Sequence, residues 1–350
     1  MVFTKNIISG LGPQRPWDKK TASLEKFHDS LTGGIPLKRG GILLVLQLDH
    51  KVLLLDGGLG QELFFRGVSV PDTIWSAAAL LTDPDIVRQI HLDYIQAGAE
   101  IITTNTYGLI RSDLAREGIE SRFAELNRLA CTLAIEARDI ACCRTLIAGS
   151  LPPLKGSFRP DLVGPPEEIE ALYLEQAQLL APHVDLFLCE TMSTGAEGRA
   201  AATAACRTGK PVWIAWTLHE DQSGNLRSGE SIADVVAALH DLPISGFLAN
   251  CCAPESITKA LPELVRSRAP WVGGYANAFT PIPENWGGDD EKDANWFLSL
   301  RTDLTPERYA LHAADWLQTG ATVIGGCCGT RPAHIAALRA LIDGLPDQNH

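Results

Sequence analysis

Near the C-terminus, Gly325-Gly326-Cys327-Cys328-Gly329-Thr330 directly follows the apolar run Thr322-Val323-Ile324. Two adjacent cysteines framed by glycine at the end of a strand fill a core poorly. They suit a thiophilic metal, because the glycines permit a tight, partly positive-φ path that aims neighbouring thiols at one point. A second doublet, Cys251-Cys252, follows Asn250 at the end of another apolar run, 244–249. If the two loops meet, three thiolates can hold Zn2+ at about 2.3 Å each and leave a fourth position open. A thiol bound there would lose its proton and become a nucleophile at neutral pH. One of Cys251 and Cys252 would bind while the other points into the wall, and spacing alone leaves both open. The cysteines at 131, 189, 206 and the pair 142–143 read as small structural residues.

Two acidic residues stand out for the same reason of position. Glu190 ends an otherwise apolar run, Leu186-Phe187-Leu188-Cys189, where a carboxylate needs a partner or a cation. Asp56 precedes Gly57-Gly58, either as a turn former or as a second carboxylate at the same rim. Together they can hold a substrate ammonium. The histidines are scattered: His91, His240 and His312 fall in helical stretches, and none is assigned to catalysis.

These residues need a scaffold that gathers strand ends. Short β-branched or Leu-rich runs at 52–55, 100–104, 145–149, 185–190, 212–217, 244–250, 271–275 and 321–325 read as strands. Helical periodicity follows each, near 83–97, 121–140, 166–182, 196–208, 230–240, 255–268, 305–318 and 331–342. Thr82-Asp83-Pro84, Gly164-Pro165-Pro166-Glu167 and Thr305-Pro306-Glu307 are helix-start signals. Alternating βα units imply a parallel sheet, and eight of them imply a (β/α)8 TIM barrel, an α/β fold. Such barrels work at the C-terminal ends of their strands. Those ends carry Asp56, Gly57, Thr104, Asn105, Thr106, Tyr107, Ser150, Glu190, Thr217, Asn250, Tyr275, Asn277 and the cysteine doublets. Residues 1–50 break the rhythm and read as an irregular N-terminal extension, with the barrel over 51–345. A second irregular stretch, 276–303, with its prolines, the acidic run 289–293 and Trp286 and Trp296, is long enough to cover a substrate.

Bulk properties exclude some functions. The chain has 350 residues, 45% hydrophobic and 21% charged, with formal net charge −12. That balance argues against nucleic acid or an anionic membrane surface as a partner. No apolar stretch approaches the roughly 18–20 residues of a membrane span, and no signal peptide is apparent. A cytoplasmic setting is expected, and nine cysteines in so long a chain read as thiols or ligands there.

The motifs LLLDGGLGQEL (53–63), WSAAALLTDPDIVRQIHLDYIQAGAEIITTNTYG (75–108), LCET (188–191), LANCC (248–252) and IGGCCGT (324–330) resemble those of the homocysteine S-methyltransferases. The match runs over about 52–341. The resemblance implies a zinc-dependent (β/α)8 barrel with Cys251, Cys327 and Cys328 as metal ligands, Cys252 being excluded. It implies that Asp56 and Glu190 hold the amino-acid end of homocysteine. Gly57, in the same turn, and Thr104, Asn105 and Asn277 correspond to further substrate-side positions. The reaction implied is direct transfer of a methyl group from an onium donor to the homocysteine thiolate, giving methionine. S-methylmethionine, betaine and S-adenosylmethionine all suit that chemistry. Residues 149–163, GSLPPLKGSFRPDLV, and the segment 281–286 depart from the family's usual pattern where the donor should sit. Trp286, Trp296, Phe279 and Tyr107 are candidates for cation–π walls around it. The chain ends after one barrel, so no cobalamin-binding domain is expected. Two other readings use the same residues. LLLDGGLGQEL nearly fits the glycine turn of Rossmann-type S-adenosylmethionine methyltransferases, with Glu62 in place of the last glycine. A zinc-binding or redox-sensing barrel without catalysis would use the cysteines alone.

Overall fold

The computed structural model describes residues 52–69, 73–283, 286 and 298–345. The expected extension 1–50, the acidic run 289–293 and Trp296 lie outside the described residues. Eight strands form one parallel sheet: β1 (Leu53–Leu54), β2 (Ile101–Thr103), β3 (Leu146–Leu151), β4 (Leu186–Met192), β5 (Val212–Trp216), β6 (Ile244–Asn250), β7 (Trp271–Ala276) and β8 (Val323–Gly326). Each pairs with its sequence neighbours, and β8 pairs back onto β1 through Leu53–Val323 and Leu54–Ile324. A parallel bridge between Leu55 and Ile101 joins β1 to β2, so the sheet is a closed (β/α)8 barrel. That closure rules out the open Rossmann sheet.

Every expected strand and helix is present, with ends shifted by a few residues. The helices are α1 (Leu59–Phe65), α2 (Ala78–Thr82), α3 (Pro84–Gln96), α4 (Arg111–Arg116), α5 (Phe123–Ala141), α6 (Pro166–Leu180), α7 (Gly195–Cys206), α8 (Ile232–Ala237), α9 (Pro254–Arg266), α10 (Pro306–Thr319) and α11 (Pro332–Asp343). The short helices α1, α2 and α4 were not expected, because five to seven residues carry too little periodicity to register. The start signals work as read. Asp83 caps α3 by accepting from Ile86 N–H, and Thr305 caps α10 by accepting from Arg308 N–H, with proline in the first turn of both.

The strands alternate between two apolar layers. Leu53, Leu55, Ile101, Ala148, Leu188, Trp213, Leu248 and Val323 pack together inside the barrel. Their neighbours Leu54, Ile102, Ile147, Phe187, Ile214 and Ile324 pack outward in the larger core shared with the helices. Trp213 fills much of the interior, with Gly246 opposite it: a Cβ there would lie 2.7 Å from the indole ring. The interior is therefore solid below, and any site must sit at an end. The same two-residue period decides which polar residue at each strand end faces inward.

Candidate active site and metal centre

Carried one step past the apolar interior, the alternation turns Thr103, Ser150, Glu190 and Tyr275 inward. Glu190 is buried, accepting from Ser150 Oγ at 2.5 Å and from Tyr275 OH at 3.1 Å. Asp56 is buried at the end of β1, accepting from Thr103 N–H at 2.8 Å and Thr103 Oγ1 at 2.7 Å. Burial pushes both carboxyl groups up to about 7; the nearby thiol of Cys327 adds to the effect at Glu190, and Glu190 adds to it at Asp56. Two acids held near neutrality form a site that gains from an incoming cation, because an ammonium offsets the desolvation of both.

The three cysteines meet beside them. Cys251, Cys327 and Cys328 have their sulfurs within 4.8 Å of one another, and Cys251 Sγ lies 3.7 Å from Cys328 Sγ. Four ligands in a tetrahedron with bonds of about 2.3 Å have sulfur–sulfur edges of about 3.8 Å. The pair therefore already spans the edge of a tetrahedral thiolate site, and the donor set fits a soft divalent cation. Contact with the other two thiols pulls Cys328 below the usual thiol range, while Cys251, which donates to them, is pushed up.

Local structure explains the convergence. Cys251 departs from the β6 alternation with φ 49°, a left-handed conformation that is strained for a residue with a side chain. The turn throws Cys251 towards the barrel mouth and sends Cys252, fully buried, into the outer core. The Cys327–Cys328 loop is fastened from several sides. Cys327 N–H donates to Ala276 O, Ala278 N–H donates to Cys328 O, and Thr330 Oγ1 donates to Cys327 O. Tyr94 OH, from α3, donates to Thr330 O at 3.0 Å. Of the framing glycines only Gly329 has positive φ, at 79°. Gly325 and Gly326 serve close approach instead: added Cβ atoms would lie 2.5 Å from Leu55 Cβ and 2.1 Å from Thr330 Oγ1.

The remaining sequence candidates divide. Gly57 lies against Tyr94 and Thr330, where a Cβ would be 2.8 Å from the Tyr94 ring, so the turn bearing Asp56 has no space for a side chain. Thr104 is buried with its hydroxyl on Thr106 Oγ1 and Ser150 N–H, and Asn105 makes two hydrogen bonds to Ser76. Both therefore brace the rim, whereas Thr103, not singled out from sequence, touches Asp56. The strand period would have found it, since Ile101 faces in and Ile102 out. Asn277 is buried, its Oδ1 accepting from Phe279 N–H, and its Nδ2 has no hydrogen-bond partner among the described residues.

Above the thiols lies an apolar cover. Phe158, Phe279 and Ile282 are buried with Cys251, and Trp286, Cys327 and Cys328 pack on them. Phe158 and Trp286 meet edge to face at 5.5 Å. Tyr107 OH bonds Ser157 Oγ at 2.6 Å, joining the loop after β2 to the loop after β3. The stretch expected as a cover is anchored at its base by antiparallel pairing, with Thr280 N–H donating to Ser299 O and a bridge between Phe279 and Leu300. Phe158 was not anticipated, because nothing in the run Ser157-Phe158-Arg159 signals that its ring turns back over another loop.

Comparison with known proteins agrees with this arrangement. A family model described as homocysteine S-methyltransferase matches residues 53–342. The homocysteine S-methyltransferase of Escherichia coli K12 is 32% identical over 310 residues, covering 83% of this chain and 94% of that protein. The Bacillus subtilis homocysteine S-methyltransferase YbgG is 26% identical over 314 residues, with the same coverage, 83% and 94%. Among solved structures, the metallated form of the Escherichia coli homocysteine methyltransferase MmuM superposes with TM-score 0.71 at 30% identity, over 84% of this chain and 97% of that one. No helix among the described residues is long and apolar enough to cross a membrane. Barrel, rim and sequence agree across nearly the whole described chain: it belongs to the homocysteine S-methyltransferase family and is an enzyme of that kind.

Proposed function

We propose that this enzyme transfers a methyl group from an onium donor (S-methylmethionine, betaine or S-adenosylmethionine) to the thiol of L-homocysteine, with Zn2+ held by Cys251, Cys327 and Cys328. One observation carries the reading: three thiols within 4.8 Å of one another share a rim with two buried carboxylates. When bound, zinc lowers the pKa of a coordinated thiol so that it is a nucleophile at neutral pH. Asp56 and Glu190 take the substrate ammonium, held in place by Thr103, Ser150 and Tyr275. Gly57 leaves the turn at Asp56 thin, and the Nδ2 of Asn277 is a donor for a substrate acceptor. Thr104 and Asn105 support the rim from behind.

In the transfer, a carbon–sulfur bond forms to the acceptor as the donor's carbon–onium bond breaks. The donor leaves neutral and the thiol proton passes to solvent. No side chain has to remove a proton from carbon, so orientation and thiol activation suffice. The buried apolar cover excludes water from the reacting methyl group. We assign the barrel domain to residues 51–345, with 1–50 as an extension, and a cytoplasmic setting suits its free thiols.

The deciding experiment supplies zinc-loaded protein with homocysteine and each of the three donors and follows methionine. Product from at least one donor is expected. Absence of methionine with all three overturns the reading.

A further inference from the structure

Three rim loops meet above the thiols, and one buried cation ties them together. Arg227, in the loop between β5 and α8, is 7% exposed. Its Nη2 donates to the carbonyl oxygens of Ile282 at 2.9 Å and Pro283 at 2.7 Å, both in the segment after β7. Its guanidinium carbon lies 5.6 Å from the ring centre of Phe158, in the loop after β3. The Glu220 carboxylate is 3.8 Å from Nη1 and offsets the charge.

We propose that Arg227 is a positioning residue for the methyl donor, holding Phe158, Ile282 and Trp286 as the wall against which the donor's onium head rests. The inference builds on the methyl-transfer reading above. A buried guanidinium is stable only while its donors are satisfied. Its acceptors at 282 and 283 are carbonyls of irregular backbone, so the Nη2 hydrogen bonds hold that segment over the barrel mouth. Phe158 has φ 65°, a conformation that a bulky residue holds only when its surroundings impose it. Those surroundings include the guanidinium at its ring, Trp286 at its edge and the buried cluster of Cys251, Phe279 and Ile282. The resulting surface is apolar and aromatic and lies directly on Cys251, Cys327 and Cys328. A sulfonium or quaternary ammonium methyl group prefers such a surface to water. Asp56 and Glu190 are held by other residues, so loss of Arg227 should act on the donor and spare homocysteine.

The test compares Arg227→Met, Arg227→Lys and Phe158→Leu with wild type for zinc content, homocysteine KM and donor KM. Arg227→Met should raise donor KM at least tenfold while zinc content and homocysteine KM stay within twofold. Phe158→Leu should shift the same parameter, and Arg227→Lys should restore it only in part, since an ammonium lacks the planar fork. Trimethylsulfonium binding, read by tryptophan fluorescence, provides a measurement independent of turnover and should weaken in parallel. Unchanged donor KM in both Arg227→Met and Phe158→Leu overturns the proposal. So does an equal rise in homocysteine KM, which marks a merely structural role. If wild type makes no methionine, the parent reading fails, and the sulfonium probe alone decides here: equal binding to wild type and Arg227→Met, or none to either, refutes the wall.

Discussion

The side chain of Asn250 at the end of β6 grips Thr191 at the end of β4 twice. Its Oδ1 accepts from Thr191 N–H at 2.8 Å and its Nδ2 donates to Thr191 Oγ1 at 3.0 Å. The next residue after Asn250 is Cys251 and the one before Thr191 is Glu190, so one buried amide couples a candidate metal ligand to a candidate substrate-binding carboxylate. Thr191 and Cys251 both have positive φ, 61° and 49°. Asn250→Ala leaves the buried Thr191 N–H without its acceptor and removes one partner of the Thr191 hydroxyl, at a cost of about 1–3 kcal/mol for the unsatisfied N–H. The expected result is a lower urea midpoint together with weaker metal retention on dialysis. A variant with the wild-type midpoint would show that the coupling adds nothing to stability.

The ligand set is separable from its neighbour. Cys251→Ser, Cys327→Ser and Cys328→Ser should each lose bound metal yet keep the circular dichroism of the fold, because the barrel core lies below the rim. Cys252→Ala should retain metal, since that thiol is buried in the outer core. Metal analysis after exhaustive dialysis reads both expectations, and retention in Cys327→Ser would contradict the three-thiol assignment.

Gly58 tests the backbone behind the metal site. Its φ of −73° suits any residue, so only space is at issue. An added Cβ would lie 2.6 Å from Cys327 O and 2.9 Å from Cys328 Cα, which is backbone and yields little. Gly58→Ala should therefore displace the two-cysteine loop and weaken metal affinity at least tenfold in a competition titration with a chelator. Wild-type affinity would mean that the β1–α1 turn moves instead.

Asp56 makes stability depend on pH in an unusual direction. Its carboxyl titrates near 7 in the folded chain, mainly through burial, against 3.8 as its ordinary value. Between about pH 4 and 7 the folded state keeps a proton that the unfolded state has released, so stability falls as pH rises through that window. At pH 8 the cost is fully present, on the order of 4 kcal/mol for a shift of this size. Asp56→Asn removes it and imitates the protonated acid towards Thr103. The ligand-free variant should be a few kcal/mol more stable at pH 8, indistinguishable near pH 4, and weaker in homocysteine binding. Equal stability at pH 8 in a denaturant titration would show that Asp56 is not held against its charge.

The sequence alone determined the architecture and the family, and it marked the rim that carries the candidate site. Eight alternations of β-branched runs with amphipathic stretches specify a barrel, because periodicity is a local property of the chain. Glycine-framed cysteines and acids at strand ends mark one rim for the same reason. Tertiary structure decided what depends on direction. The inward period at each strand end selected Thr103 over Thr104 beside Asp56, and the left-handed turn at Cys251 split the 251–252 doublet between barrel mouth and outer core. Convergence of the thiols to 3.7 Å needed β6 and β8 brought together with β7 between them. The cover of Phe158, Arg227 and Ile282 comes from loops more than fifty residues apart in places, whose meeting no spacing rule encodes. Side-chain type is written residue by residue, whereas the company each side chain keeps is a property of the closed barrel.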